Sequence, residues 1–426
     1  NNWSGSVECV IIGGGAAGMQ AALGFRRQWP EKSVTLIDTE KEIGFYRTLL
    51  PQFMNRSLPE NKLFFWQNSN DPQLKIISGV TVEAVEPENK TIRLENDNKV
   101  HYKRLIVASG GRPIIPPVCM TGGGEGVFPI RSLAAARTAR DWLPNHPQVV
   151  IIGGGLVGVK TAAHLAGFNV SVTLIEKEHQ LLPQALSADA AQLVEAHLRQ
   201  KRIRLLLGST VEDILFDQGA VSAVLASGEW LPCRTLLVAA GSVPEVGFLQ
   251  DANLLQEGRL EVSTSLQTKD ANIFAAGDAV TIVDDNSFTP WTWPQAVVQG
   301  KLAAANLYAP VPSSLDCLSR VNCMNLDGLS LAVLGVPVAG VQRSVYSKPE
   351  DGVFRELFHA DGRVVGGALI GDISMAGRLH WMMNSGKPAA TDFARVVEPG
   401  IDIFSKISES CAKHSRRAAF LLPQGV

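Results

Sequence analysis

The sequence predicts an α/β fold in which one supersecondary unit is built twice, and two observations carry that expectation. An apolar run enters a glycine-rich turn at Val10-Ile11-Ile12-Gly13-Gly14-Gly15-Ala16-Ala17-Gly18, and the pattern returns at Val149-Val150-Ile151-Ile152-Gly153-Gly154-Gly155-Leu156-Val157-Gly158. After each copy comes a second apolar run ending in an acid, Val34-Thr35-Leu36-Ile37-Asp38 and Val172-Thr173-Leu174-Ile175-Glu176. Each acid follows its last glycine by roughly 20 residues, the spacing of a dinucleotide-binding βαβ unit. The first glycine permits the tight strand-to-helix turn, the second admits a pyrophosphate, and the third lets helix and sheet pack closely. The helix N-terminus offers free N–H groups to the phosphates, and the acid accepts hydrogen bonds from a ribose. One G-x-G-x-x-G is weak evidence against a mere glycine-rich turn. Two complete copies make that alternative improbable, and two dinucleotides are expected.

Composition agrees. The chain has 426 residues, 46% of them hydrophobic, 19% charged and 7% aromatic, so two or three domains with ordinary cores fit its length. Its 39 Lys and Arg nearly balance 41 Asp and Glu, which removes any global footprint for nucleic acid. Glycine, at 39 against 23 prolines, points to tight turns and close backbone approaches. Two further strands, Leu105-Ile106-Val107-Ala108-Ser109-Gly110 and Leu236-Leu237-Val238-Ala239-Ala240-Gly241, close the units and lead to Pro113 and Pro244. A last one, Ile273-Phe274-Ala275-Ala276, runs into Gly277-Asp278 before an apolar helix.

The six cysteines, Cys9, Cys119, Cys233, Cys317, Cys323 and Cys411, form no C-x-x-C pair. They read as buried small hydrophobes in a reducing compartment, and no metal site is expected. No apolar stretch is long enough to span a bilayer. The start, Asn1-Asn2-Trp3-Ser4-Gly5, has neither a basic n-region nor an apolar h-region. The expectation is a soluble cytoplasmic protein.

The order of these motifs resembles the pyridine nucleotide-disulfide oxidoreductases, the flavoproteins that bind two dinucleotides. The resemblance covers roughly the first three quarters of the chain. It implies two Rossmann-like three-layer dinucleotide-binding domains and a C-terminal α+β interface domain. The FAD-binding domain would be discontinuous, residues 1–115 and 245–312, with the NAD-binding domain at 116–244 and the interface domain at 313–395. A C-terminal extension, 396–426, follows. By the same resemblance FAD would be held by Gly13, Gly15, Ala16, Ala17, Gly18 and Asp38, then Arg47, Ala108, Ser109 and Gly110, and finally Gly277, Asp278, Trp293 and Ala296. The nicotinamide coenzyme would be held by Gly153, Gly155, Leu156, Val157, Gly158, Glu176, Ala240 and Gly241. Glu176 favours NAD(H), because a carboxylate accepts from a free 2′-hydroxyl and repels a 2′-phosphate. Lys177 beside it tempers that preference.

Ile43-Gly44-Phe45-Tyr46-Arg47-Thr48-Leu49-Leu50-Pro51 resembles the single-cysteine pattern of coenzyme A-disulfide reductases, but Thr48 stands at the cysteine position. A hydroxyl cannot do thiolate chemistry, so cysteine-relayed disulfide reduction is disfavoured. The stretch is more similar to NADH-dependent rubredoxin reductases and the flavin part of the nitrite reductase large subunit. Trp293-Pro294-Gln295-Ala296 with Gln299-Gly300 resembles that branch too, and Gly366-Gly367-Ala368-Leu369-Ile370-Gly371-Asp372 its interface domain. Trp291 and Trp293 read equally as core anchors or as flavin contacts. Lys160 replaces the branch's usual glutamate, and Gln52 replaces a lysine partner. Lys160 and Arg47 are therefore candidate flavin neighbours, with a surface helix lysine the alternative for Lys160.

The leading expectation is an FAD-dependent NAD(H):acceptor oxidoreductase. Hydride would pass between nicotinamide and flavin, and single electrons would be exchanged with an iron–sulfur protein, ferredoxin or rubredoxin, in a direction left open. No acid–base catalyst is nominated. The alternatives are an NADH oxidase or peroxidase and a low-turnover nucleotide-binding assembly or signalling flavoprotein. With no cluster motif in this chain, the cluster would sit in a partner, which a stable complex could retain. A homodimer or larger complex stays open. Lys413, His414, Arg416 and Arg417 in the C-terminal extension read as a solvated helix face in preference to a docking site.

Overall fold

The computed structural model describes residues 7–67, 70–95, 97–120, 124–167, 170–283, 292–315, 321–335, 340–385 and 393. The chain begins with β1 (Val7–Ile12), α1 (Ala16–Gln28) and β2 (Val34–Asp38), passes through the short helix α2 (Leu50–Met54), and continues with β3 (Leu74–Ser78). A hairpin of β4 (Val82–Glu86) and β5 (Thr91–Leu94) then leads into the long β6 (Lys99–Val107). Strands β1 to β3 and β6 are parallel neighbours in the order β3-β2-β1-β6, and the two hairpin strands continue the sheet from the start of β6.

The chain leaves this sheet through β7 (Gly111–Pro113) and builds a second one. It comprises β8 (Val127–Pro129), α3 (Leu133–Trp142), β9 (Gln148–Ile152), α4 (Leu156–Leu165), β10 (Ser171–Glu176), α5 (Ala188–Gln200) and β11 (Arg204–Leu207). An antiparallel ribbon of β12 (Val211–Asp217), β13 (Ala220–Ala226) and β14 (Glu229–Pro232) precedes β15 (Thr235–Val238). The parallel order is β11-β10-β9-β15-β8. The chain returns through β16 (Ser242–Pro244), which pairs antiparallel with β7, so both crossings between the sheets run side by side. Next come β17 (Leu255–Gln256), β18 (Arg259–Val262), β19 (Ile273–Ala275), β20 (Val280–Ile282) and α6 (Trp293–Asn306). Strand β19 lies against β6 and gives the first sheet the fifth parallel strand that β8 gives the second.

The remaining strands, β21 (Val321–Asn325), β22 (Ser330–Leu334), β23 (Gln342–Lys348), β24 (Val353–Ala360) and β25 (Arg363–Ile370), form an antiparallel sheet covered by α7 (Ala376–Ser385). Strand alternation divides its side chains between two cores. Leu331, Val333, Phe354, Ala368 and Ile370 join the core of the second parallel sheet, while Ala332, Leu334, Leu357 and Leu369 pack with Ala376 and Leu379 of α7. Glu356, fully buried, fastens the sheet to the N-cap of α5, accepting from Ser187 Oγ at 2.7 Å and from Arg343 Nε at 3.0 Å.

The early segment from Phe45 to Leu63 crosses the expected division. Phe45, Leu50, Phe53, Met54 and Leu63 pack in the core of the second sheet, although the strands on either side of them belong to the first. The first core is closed by α6 lying along α1. A β-carbon on Gly300 would collide with the carbonyl oxygen of Ala17, so only glycine allows this approach. Replacing Gly300 by Val should cost about 1–3 kcal/mol by overpacking. The check is the denaturant midpoint of the purified protein, and an unchanged midpoint would contradict this account of the α1–α6 contact.

Candidate functional site

Both glycine turns sit at the carboxyl ends of parallel strands, and they are built alike. Gly13 and Gly153 have φ of +106° and +107°, values that side chains rarely adopt. A β-carbon on Gly18 or Gly158 would strike the carbonyl oxygen of Gly13 or Gly153, which is why each helix can start so close to its strand. At Gly15 and Gly155 the opposite holds, with no atom within 4 Å of where a β-carbon would stand. These two glycines cap α1 and α4, and no side chain caps either helix. The first-turn N–H groups at Ala16, Ala17 and Gly18, and at Leu156, Val157 and Gly158, are thus left toward open space. That is the donor set an anionic pyrophosphate needs.

The acids complete the match. Asp38 accepts from the N–H of Gly14 through one oxygen and from the N–H of Glu40 at 2.6 Å through the other. Glu176 repeats this, accepting from Gly154 N–H and, at 2.9 Å, from Glu178 N–H. An ionised carboxylate has about four acceptor positions. Each acid therefore keeps one lone pair per oxygen for a ribose diol. Burial raises the Asp38 carboxyl above its usual value, opposed by those two backbone donors. The cradles fit two dinucleotides.

The other residues expected to hold FAD come from distant parts of the chain. The loops after β6 and β15 meet at the crossing ribbon, where Ser109 Oγ donates to Glu245 O at 2.6 Å and Ile114 N–H to Gly241 O at 3.0 Å. This brings Ala108, Ser109 and Gly110 alongside Ala240 and Gly241. Gly277 N–H donates to the buried Gln299 Oε1 at 2.6 Å, which ties the turn after β19 to α6. Ala296 is buried in the first core, on the same helix. Asp278 pairs with Arg131 at 3.2 Å. Arg47 donates to the Arg131 carbonyl at 2.8 Å, pairs with Glu40 and lies over the Phe45 ring. Its guanidinium is committed to protein partners. Trp293, the first residue of α6, meets Tyr46 and Phe65 with ring centroids 5.0 Å away in each case. Trp291 lies outside the described residues.

Lys160 ties α4 to the segment that follows β2. Its ammonium, reaching from α4, donates to the backbone carbonyl of Thr48 at 2.6 Å, just past the turn that carries Tyr46 and Arg47. Burial lowers its pKa. A nearby buried amide, Asn55 Nδ2, donates to His164 O at 2.6 Å, a second tie between this segment and α4. The Gln52 amide oxygen is buried with no hydrogen-bond partner. Arg131 was not among the sequence-derived candidates. Its only local mark is its place before the Ser132 N-cap of α3, and its partner Asp278 lies 147 residues away.

The described cysteines are Cys9, Cys119 and Cys233, all buried, and the exposed Cys323. None belongs to the segment around Thr48, and burial pushes Cys119 up to about 11 and Cys233 up to about 12. Cys317 and Cys411 lie outside the described residues, as does the extension with Lys413, His414, Arg416 and Arg417. Among the described residues there is no metal-ligating group of three and no helix long and apolar enough to cross a membrane. The open space at Gly155 gives a clean separation of folding from binding. Gly155→Val should keep its FAD content and its melting temperature within about 2 °C, yet weaken NADH about tenfold or more. Titration calorimetry and the flavin spectrum check both halves.

The comparisons with known proteins agree with this geometry. The family model for pyridine nucleotide-disulphide oxidoreductases matches residues 7–300. An NADH oxidase of Methanocaldococcus jannaschii is 25% identical over 88% of this chain and 90% of its own length. A rubredoxin-NAD(+) reductase of Pseudomonas putida is 26% identical over 75% of this chain and 86% of its own. In fold, the chain superposes on the covalent putidaredoxin reductase–putidaredoxin complex with a TM-score of 0.85, at 21% identity over 95% of this chain and 99% of that one. Two cradles, their acids and a family match over more than half of the chain lead to one conclusion: it belongs to the pyridine nucleotide-disulphide oxidoreductases, as an FAD-dependent NAD(H) oxidoreductase.

Proposed function

We propose that the chain carries reducing equivalents between NAD(H) and a separate one-electron iron–sulfur protein of ferredoxin or rubredoxin type. The observation that carries this reading is the pair of open cradles with Thr48, not a cysteine, on the seam between them. Among the described residues no cysteine lies on that seam, and electrons would leave the flavin directly. Relatives support the choice of partner, since they include a ferredoxin--NAD(P)(+) reductase of Sphingomonas sp., 27% identical over 84% of this chain. Bound FAD would supply the conversion between two-electron exchange with nicotinamide and one-electron exchange with the carrier.

The protein's part is binding and orientation. Gly13, Gly15 and Gly18 with the α1 N-terminus would hold the FAD pyrophosphate, and Asp38 its ribose. Arg131 and Asp278, held together as an ion pair, would border the ribityl–phosphate end. Gly153, Gly155, Gly158 and Glu176 would hold NAD(H). The two lone pairs left on Glu176 suit the 2′- and 3′-hydroxyls of the adenosine ribose. A 2′-phosphate would bring two negative charges against this carboxylate and offer it no donor. The crossing ribbon and the contacts from Lys160 and Asn55 would fix the two ring ends relative to each other, and such positioning would supply much of the rate.

Anaerobic mixing should decide the matter. NADH should bleach the flavin band at about 450 nm, with NADPH about tenfold or more less efficient. Adding an oxidised ferredoxin or rubredoxin should restore the band faster than oxygen does. Restoration by oxygen alone would favour the NADH oxidase reading. A band that NADH leaves untouched would overturn turnover altogether.

A further inference from the structure

We infer that Lys160 makes the second cradle discriminate between the two redox forms of its own coenzyme, holding NADH and repelling NAD+. The inference rests on the proposed function and deepens its account of the coenzyme site.

Geometry comes first. Glu176 at the tip of β10 and Gly155 at the start of α4 fix the adenosine and pyrophosphate ends of the coenzyme. The nicotinamide end must then extend toward the flavin segment, across the seam between α4 and the turn at Arg47–Leu49. The Lys160 ammonium stands on that seam, fixed by its 2.6 Å bond to the Thr48 carbonyl. It forms no ion pair with any carboxylate of the described residues, and it is half-buried. One turn further along α4 is His164, also buried, whose pKa is lowered by its own burial and then by the Lys160 charge. Asp327, the acid that acts on His164 in the opposite sense, is paired with Lys201.

Electrostatics then decides the sign. The ring of NADH is neutral and that of NAD+ carries one positive charge. Everything else in the two coenzymes is the same, so a fixed ammonium near the ring opposes only the oxidised form. Between like charges in surroundings of effective dielectric about 20, this penalty is much larger than at the same separation in water. Uniform attraction to the phosphates would tighten both forms equally and could not produce a preference. With NAD+ the weaker ligand, the oxidised product leaves readily.

The test compares two unreactive ligands on oxidised holoprotein by calorimetry: NAD+, with its charged ring, and 1,4,5,6-tetrahydro-NADH, whose ring is neutral. Wild type should bind the neutral analogue about tenfold or more tighter than NAD+. In Lys160→Met the ratio of the two affinities should fall to about threefold or less. Lys160→Arg should keep the wild-type ratio, and Lys160→Glu should invert the preference. An unchanged ratio in Lys160→Met, or equal weakening of both ligands, would overturn the inference. If wild type binds neither ligand, the proposed function itself fails. If it binds both and NADH bleaches the flavin, while the ratio ignores residue 160, only this inference fails.

Discussion

Close approach of helix to strand is the constraint on which the site depends. At Gly18 and Gly158 the backbone of a helix touches the turn that precedes it, and no side chain of any size can be accommodated. That contact aims the first-turn N–H groups of α1 and α4 outward, past Gly15 and Gly155, into space that the protein leaves empty. Filled space behind and empty space in front come from the same three-glycine spacing. The acids then draw the turn tight from the other side by accepting from Gly14 and Gly154.

Much of this was legible in the sequence because it is local. Each cradle occupies a single run of residues with a distinctive spacing, and each acid follows within one βαβ unit. Strand β8 left a fainter trace, since three residues make too short a run for periodicity to register. What sequence could not reveal are pairings between distant positions. Arg131 with Asp278, and Lys160 with Thr48, join residues 147 and 112 apart, and nothing near any of them marks the partner.

The segment from Phe45 to Leu63 shows a subtler limit. Its apolar residues were visible, but apolarity does not say which core receives them. They pack with Val149, Ile151 and Leu174 of the second sheet, while β2 and β3 on either side lie in the first. This segment is thus built from one sheet's chain and supported by the other sheet's interior. Arg137 strengthens the same connection, pairing from α3 with Glu42 and Glu60 at 2.6 Å each.

The pairing of β7 with β16 bears on how such a molecule can arise. Pro113 and Ser242 face each other across one antiparallel register, so the whole second sheet hangs from the first by two adjacent threads. A host whose entry and exit points are neighbours bears almost no loop-closure penalty for the length of its guest. Gene-level grafting of one nucleotide-binding unit into a surface turn of another would leave just this scar. The duplicated glycine motif is what two descendants of one ancestral unit would share after such a graft.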